Sequence, residues 1–85
     1  MKGTVIDVNA RGMVAIALDS GEYAVGEVPP DSHAIEGGDT VSGEFVGAGN
    51  QSIRNETKER DVRIMIHAPR TDGRSTNRLM LLGPD

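Results

Sequence analysis

The sequence has no cysteine and no tryptophan, and it has one tyrosine and one phenylalanine among its 85 residues. Without cysteine, the chain can form neither a disulfide framework nor a thiolate metal site, which fits a reducing compartment. Apolar residues make up 36% of the composition, and a chain of this length buries roughly 60 to 65% of its unfolded surface. We therefore expect one small domain with a single core and a narrow margin of stability.

Long uncharged apolar runs are also missing. No stretch approaches the roughly 18 residues that a membrane-spanning helix requires. Near the N-terminus, Asp7, Asn9 and Arg11 interrupt the apolar residues before these could form the apolar region of a signal peptide. We therefore expect a cytoplasmic protein.

Charges of the two signs are unevenly divided along the chain. The net charge is −4, yet residues 1–50 hold two basic and eight acidic side chains, whereas residues 51–85 hold seven basic and five acidic ones. A basic C-terminal part can mark a contact for a polyanion. The alternative is a solvated surface of mixed sign.

Apolar residues, many of them β-branched, alternate along most of the chain, and 11 glycines interrupt any helical period. We predict strands over residues 3–8, 13–18, 23–28 and 39–46, a hairpin turn over residues 19–22, and a fifth strand beginning near Arg60. The pattern predicts an all-β fold, a small five-stranded antiparallel barrel over residues 1–68. Residues 69–85 are predicted to form a mobile C-terminal tail, in which residues 79–82 are apolar enough to dock.

One set of alternating positions in each strand is predicted to face the core. In the second strand, Val14, Ile16 and Leu18 share the buried face, which leaves Met13 and Ala15 on the outward face. The predicted buried residues are Val5, Val14, Ile16, Leu18, Val25, Val41, Phe45, Val62, Ile64 and Ile66.

Four segments follow one another in the first 46 residues: M-K-G-T-V with the following Asn9-Ala10, R-G-M-V-A-I, D-S-G-E-Y-A-V and I-E-G-G-D-T-V-S-G-E-F. Their order resembles that of bacterial cold-shock proteins, whose segments read K-G-x-V-K-W-F-N, K-G-F/Y-G-F-I, D-V-F-V-H-F and L-x-E-G-Q-x-V-x-F. The resemblance implies a five-stranded Greek-key barrel of the OB-fold type that binds single-stranded nucleic acid.

The resemblance does not extend to the aromatic rings with which that family stacks bases. At those positions this chain has Asp7 and Val8, then Met13 and Ala15, then Ala24 and Glu27, with Gly26 at the family's histidine position. Each stacked base contributes about 1 to 3 kcal/mol, so losing three removes roughly 3 to 9 kcal/mol. Binding would then depend on phosphate contacts from basic side chains.

The predicted function is therefore weak, salt-sensitive binding of single-stranded RNA or DNA. The predicted contact residues are Lys2, Arg11, Met13, Ala15, Arg54, Lys58, Arg60 and Arg63. The alternative for the basic residues of the C-terminal part is pairing with Glu56, Glu59 and Asp61, which would keep an edge strand soluble.

A protein-interaction module of the same fold is the alternative function. In that interpretation, Val8, Met13, Ala15 and Ala24 form a small apolar face without aromatic rings, which meets a partner protein or a second copy. The sequence leaves the oligomeric state open.

Residues suited to catalysis are few. Asp31, His33, Glu36 and Asp39 share one loop and could in principle bind a divalent cation, but such side chains on a loop are more often solvated. Ser32 beside His33 has no second group to complete a nucleophilic site. The sequence predicts no enzymatic activity, no cofactor and no metal site.

Overall fold

The chain folds into a closed β-barrel. The structure, a computed structural model, describes residues 1–29, 34–45 and 47–74. These residues form six strands, β1 (Lys2–Val8), β2 (Met13–Leu18), β3 (Tyr23–Glu27), β4 (Thr40–Ser42), β5 (Gly49–Asn55) and β6 (Arg60–Thr71). Their order around the barrel is β1-β2-β3-β6-β5-β4, and antiparallel pairing of β4 with β1 closes it. The prediction of an all-β antiparallel barrel is confirmed.

The strand count differs from the predicted five, because β5 has a weak sequence signal. One strand over residues 39–46 was predicted, but β4 ends at Ser42 and β5 begins at Gly49. The inward side chains of β5 include the polar residues Gln51 and Asn55 beside Ile53. An apolar alternation therefore does not mark this strand.

β6 is longer than predicted. It begins at Arg60, as expected, but continues to Thr71, where it pairs with Tyr23 of β3. Residues 69–71, which were assigned to the C-terminal tail, therefore belong to the barrel. Residues 75–85 of that predicted tail lie outside the described residues. Within the described part of the chain, no helix is long and apolar enough to cross a membrane.

The barrel interior contains the predicted core. All residues predicted to be buried are buried. The interior cluster consists of Val5, Val14, Ile16, Leu18, Ala24, Val28, Ile35, Val41, Phe45, Ile53, Val62, Ile64 and Ile66. The core prediction is confirmed, although Val25 belongs to a different cluster.

Strand β3 faces the opposite way from the prediction. Ala24 lies in the interior cluster, whereas Val25 packs with Met13 and Ala15. The register explains the difference, because Ala24 pairs with the inward Ile16, and paired residues of antiparallel strands share a face. Gly26 is also inward, and a Cβ there would lie 2.8 Å from Cδ1 of Ile64. Small residues on β3 therefore make room for the larger side chains of β6.

Phe45 occupies the middle of the core without belonging to a strand. Its exposed fraction is 0%, and its φ of 50° lies in the left-handed region, which non-glycine residues seldom adopt. The prediction of its burial is confirmed, and its assignment to a strand is wrong.

Replacing Phe45 with alanine removes the largest fully buried side chain. We expect Phe45→Ala to lower the free energy of unfolding by about 3 to 5 kcal/mol, because it leaves a cavity in the core. Urea unfolding followed by circular dichroism measures the loss. Tyr23→Phe, at a half-buried ring, is the control and should cost less. Equal losses in the two variants would contradict the central position of Phe45.

Candidate nucleic-acid interface

The strand register brings three of the predicted basic residues together on the outside of the barrel. Lys2 of β1 pairs with Ser42 of β4, and Ser42 pairs with Arg54 of β5. On β6, Arg63 lies opposite Ser52, one outward position along from Arg54. All three basic side chains alternate with buried neighbours and are exposed. Lys2, Arg54 and Arg63 are called the basic strip below.

Acidic side chains lie beside the middle of the basic strip. Arg54 Nε is 3.7 Å from Glu56 Oε1, and Arg54 Nη1 is 3.7 Å from Asp61 Oδ1. The alternative expected from the sequence, pairing with acidic neighbours, therefore holds for Arg54 with Glu56 and Asp61. Both pairs are exposed, and exposed ion pairs contribute only about 0 to 1 kcal/mol. A phosphate group could replace either carboxylate at little cost.

Arg63 has the least restricted position in the basic strip. It makes no ion pair or side-chain hydrogen bond within residues 1–29, 34–45 and 47–74. It borders a shallow pocket of about 380 Å³. Glu27, Val28, Pro29, Asn50, Ile64 and Met65 form the rest of that pocket. Met65 is 37% exposed, so the surface beside the guanidinium is partly apolar.

Lys58 does not belong to the interface for which it was predicted. Its Nζ donates hydrogen bonds to Glu36 Oε1 at 2.5 Å and to Asp39 Oδ2 at 3.1 Å. Both partners lie on the loop before β4, far away in the sequence. Lys58 therefore stabilises the barrel, and its charge is already compensated by two carboxylates.

Arg11 and Arg60 are exposed but lie outside the basic strip. Arg11 lies in the turn between β1 and β2. Arg60 begins β6 opposite Asn55. It is three residues from Arg63, so the two side chains leave the strand on opposite faces. The structure therefore does not bring the predicted basic residues into one continuous surface.

Met13 and Ala15 cannot serve as contact residues in this structure. Each is 1% exposed, although they face away from the barrel interior as predicted. They pack with Val25, and the partly buried Ala68 packs against them. The prediction that they are exposed is wrong, because it treated the outward face of β2 as a solvated one.

A buried polar network joins β5 to the loop before β4. The side chain of Asn55 is 0% exposed, and its Nδ2 donates to Asp39 Oδ2 at 2.8 Å and to the carbonyl of Ala34 at 3.0 Å. Its Oδ1 accepts the backbone N–H of Lys58 at 3.1 Å. Asp39 also accepts the backbone N–H of Glu36 at 3.0 Å. Sequence reasoning missed this network, whose only signal is a polar residue at an inward strand position.

The ionisation of the network follows from these contacts. Burial raises the pKa of Asp39, but hydrogen bonds from Asn55, Lys58 and the backbone of Glu36, together with the charge of Lys58, lower the pKa below its ordinary value. The pKa of Lys58 is raised, chiefly by its hydrogen bond to Glu36 and less by Asp39, against an opposing effect of desolvation. Both groups are charged near neutral pH, so the network is structural and neither side chain is poised to transfer a proton.

Metal-binding geometry and similarity to known proteins give no further guide to function. Among the described residues, no group of three or more histidine, cysteine, aspartate or glutamate side chains could hold a metal ion. Asp31 and His33, two of the four loop residues that the sequence analysis considered as cation ligands, lie outside those residues. No protein-family model, curated protein or solved structure matches the chain at a significant level. The assignment of function therefore depends on the geometry of the surface.

Acid should weaken the polar network through Asp39. Its pKa is lower in the folded protein than in the unfolded chain, where it is about 3.9. The stability that it contributes is therefore present above that value and is lost as the pH falls through the folded pKa. Asp39→Asn should lower the free energy of unfolding by about 1 to 3 kcal/mol near neutral pH, because hydrogen bonds to a charged group are lost.

Urea unfolding of the parent and of Asp39→Asn at about pH 7 and about pH 3 tests this linkage. The difference between the two proteins should shrink at the lower pH, because Asp39 of the unfolded parent then binds a proton more readily than Asp39 of the folded parent, whose pKa is lowered. Glu44→Gln removes an exposed carboxylate and serves as the control. A difference that stays constant between the two pH values would show that the charge of Asp39 does not stabilise the fold.

Proposed function

We propose that this domain is a non-enzymatic cytoplasmic module that binds single-stranded nucleic acid weakly and in a salt-sensitive manner. The basic strip supplies the contacts, and Arg63, which makes no ion pair within the described residues, is the member most available to a phosphate. The alignment of Lys2, Arg54 and Arg63 through the register of β1, β4, β5 and β6 carries this proposal. Neighbouring strands lie about 4.8 Å apart, so basic side chains on them can reach successive phosphates of a single strand.

The resemblance to cold-shock proteins supports a nucleic-acid ligand and an OB-type relationship, but it implies a different surface. In that family the bases stack on aromatic rings of the second and third strands. Of the positions that correspond to those rings, Met13, Ala15 and Ala24 are at most 1% exposed here. The ligand therefore meets β5 and β6, where Asn50 and Ser52 lie opposite Met65 and Arg63.

The proposed affinity is low for two reasons. No ring stacks on the bases, which forgoes about 1 to 3 kcal/mol for each base. The net charge of −4 also repels a polyanion at long range. Binding should therefore be measurable at low salt and should weaken quickly as salt is added.

A protein partner is the second candidate, and the pocket beside Arg63 favours it. Val28, Pro29, Ile64 and Met65 line the pocket, and Glu27 and Arg63 lie at the same site, so it presents apolar surface with both charge signs. This differs from the apolar face expected from the sequence. Of that face, Met13, Ala15 and Ala24 are buried, and Val8 packs partly against the interior core.

Salt dependence tests nucleic-acid binding. Fluorescence anisotropy with labelled single-stranded RNA and DNA of mixed sequence should give a log affinity that falls against log salt with a slope of about −2, since three contacts contribute about −0.7 each. Arg63→Ala should reduce the magnitude of that slope by about 0.7 without changing base preference. Arg70→Ala removes the same charge from an exposed position of β6 outside the basic strip and should leave the slope unchanged.

Two results would contradict the proposal. Tight binding that is indifferent to salt would mean that another surface recognises the ligand. Absence of binding even at low salt would favour a protein partner at the pocket beside Arg63.

A further inference from the structure

Three side chains form one row across the outside of the barrel, next to Arg63. Glu27 of β3 pairs with Met65 of β6, and Met65 pairs with Asn50 of β5. Paired residues of antiparallel strands share a face, so the three side chains leave the sheet on the same side. All three border the pocket of about 380 Å³ that Arg63 also borders. Glu27, Met65 and Asn50 are called the outer row below.

Met65 supplies an apolar surface at the centre of the outer row. Its side chain is 37% exposed, whereas the neighbouring Ile64 lies in the barrel interior. The polarisable sulfur of methionine makes favourable contacts with aromatic rings. Met65 can therefore contact a base at a surface that has no aromatic ring of its own.

Hydrogen-bonding groups lie on both sides of Met65. Neighbouring strands are about 4.8 Å apart, so Glu27 and Asn50 are separated by about 10 Å across the outer row. Nε2 of His67 lies 3.1 Å from Oε1 of Glu27, which leaves Oε2 of that carboxylate to accept a hydrogen bond from a ligand. The Asn50 amide both donates and accepts, and it makes no side-chain hydrogen bond within the described residues.

We propose that the outer row binds one purine base of a single strand whose phosphate lies on Arg63, an inference that rests on the proposed function. Arg63 precedes Met65 by two residues and lies on the same face, about 7 Å away along β6. The phosphate and the base of one nucleotide can therefore meet Arg63 and Met65 together. The pocket volume of about 380 Å³ is near the lower end of the range for small-ligand sites, which fits a single base.

The chemistry of the outer row favours a purine that carries an amino group. A purine has two fused rings and covers more of Met65 than the single ring of a pyrimidine does. The Glu27 carboxylate only accepts hydrogen bonds, so it requires N–H donors such as the amino group of adenine or guanine. Uracil and thymine have no amino group. The Asn50 amide can bind a ring nitrogen, as asparagine does in its pairing with adenine.

Oligonucleotides that differ in one base test the preference. A short labelled oligouridylate with one central adenine is compared at low salt with the uniform oligouridylate of the same length, which carries the same phosphate charge. Fluorescence anisotropy should show about two- to tenfold tighter binding of the first, the range expected of a methionine–ring contact. Equal binding of the two oligonucleotides would overturn the proposal.

Variants assign the preference to the outer row. Met65→Ala should abolish it and leave the salt slope unchanged, because no charge is altered. Ile6→Ala removes another exposed apolar side chain, from β1, and should keep the preference. Arg63→Ala should have the opposite effect to Met65→Ala, with a smaller slope and the preference retained. A preference that survives in Met65→Ala would overturn the proposal.

Methyl resonances of the full chain give a second measurement that needs no variant. With ¹³C-labelled methionine methyl groups, the ring current of a base in contact with Met65 should shift the Met65 resonance, and the adenine-containing oligonucleotide should shift it more than the uniform one. Met13 is 1% exposed and serves as the internal control, whose resonance should not move. An unmoved Met65 resonance at saturating oligonucleotide would overturn the proposal.

Failure of the purine site and failure of the proposed function give different results. Salt-dependent binding without a base preference would overturn the purine site alone and leave the phosphate contacts of the basic strip. Absence of binding to either oligonucleotide at low salt would overturn both and would favour a protein partner at the same pocket.

Discussion

The buried hydrogen bond between Asn55 and Asp39 holds the seam at which the barrel closes. β4 is three residues long, yet it must pair with β1 on one side and with β5 on the other. The amide of Asn55 fixes the segment before β4 through Asp39, and Lys58 adds a second contact to the same carboxylate. A backbone hydrogen bond also joins β1 to the segment before β4, because the Val5 N–H donates to the carbonyl of Asp39 at 2.8 Å. Such a buried network stabilises the fold only when all its members are paired, and the described residues contain no buried side-chain polar atom without a partner.

The candidate interface is a consequence of that closure. Lys2 and Arg54 are far apart in the sequence and share a surface only because Ser42 lies between them at the seam. The same closure brings Lys58 between Glu36 and Asp39, which compensate its charge. The basic residues of the fold thus fall into two groups: Lys58, which is paired with carboxylates beside β4, and the residues of the basic strip.

Met13, Ala15 and Val25 form a second, smaller apolar layer on the outside of the barrel. Because β2 has apolar residues on both faces, it lacks the alternation of polar and apolar residues expected of a strand with one solvated side. The outward residues Met13, Ala15 and Val25 of β2 and β3 are therefore not accessible, and the proposed contact surface lies on β1, β5 and β6 instead. A surface that lacks stacking rings can still attract phosphates, but it distinguishes bases poorly.

By itself, the sequence determined the all-β class, the positions of the first three strands and nine of the 13 residues of the interior cluster, because these depend on local alternation and on turn residues. It did not reveal β5, whose inward Gln51 and Asn55 break the apolar pattern, or the partners of Lys58, which lie 22 and 19 residues away. The sequence could not show which of Ala24 and Val25 faces the interior, because both are small and apolar. The register with β2 decides it. Only the tertiary structure decided that Met13 and Ala15 are buried, because alternation separates the two faces of a strand but does not show what lies against each face.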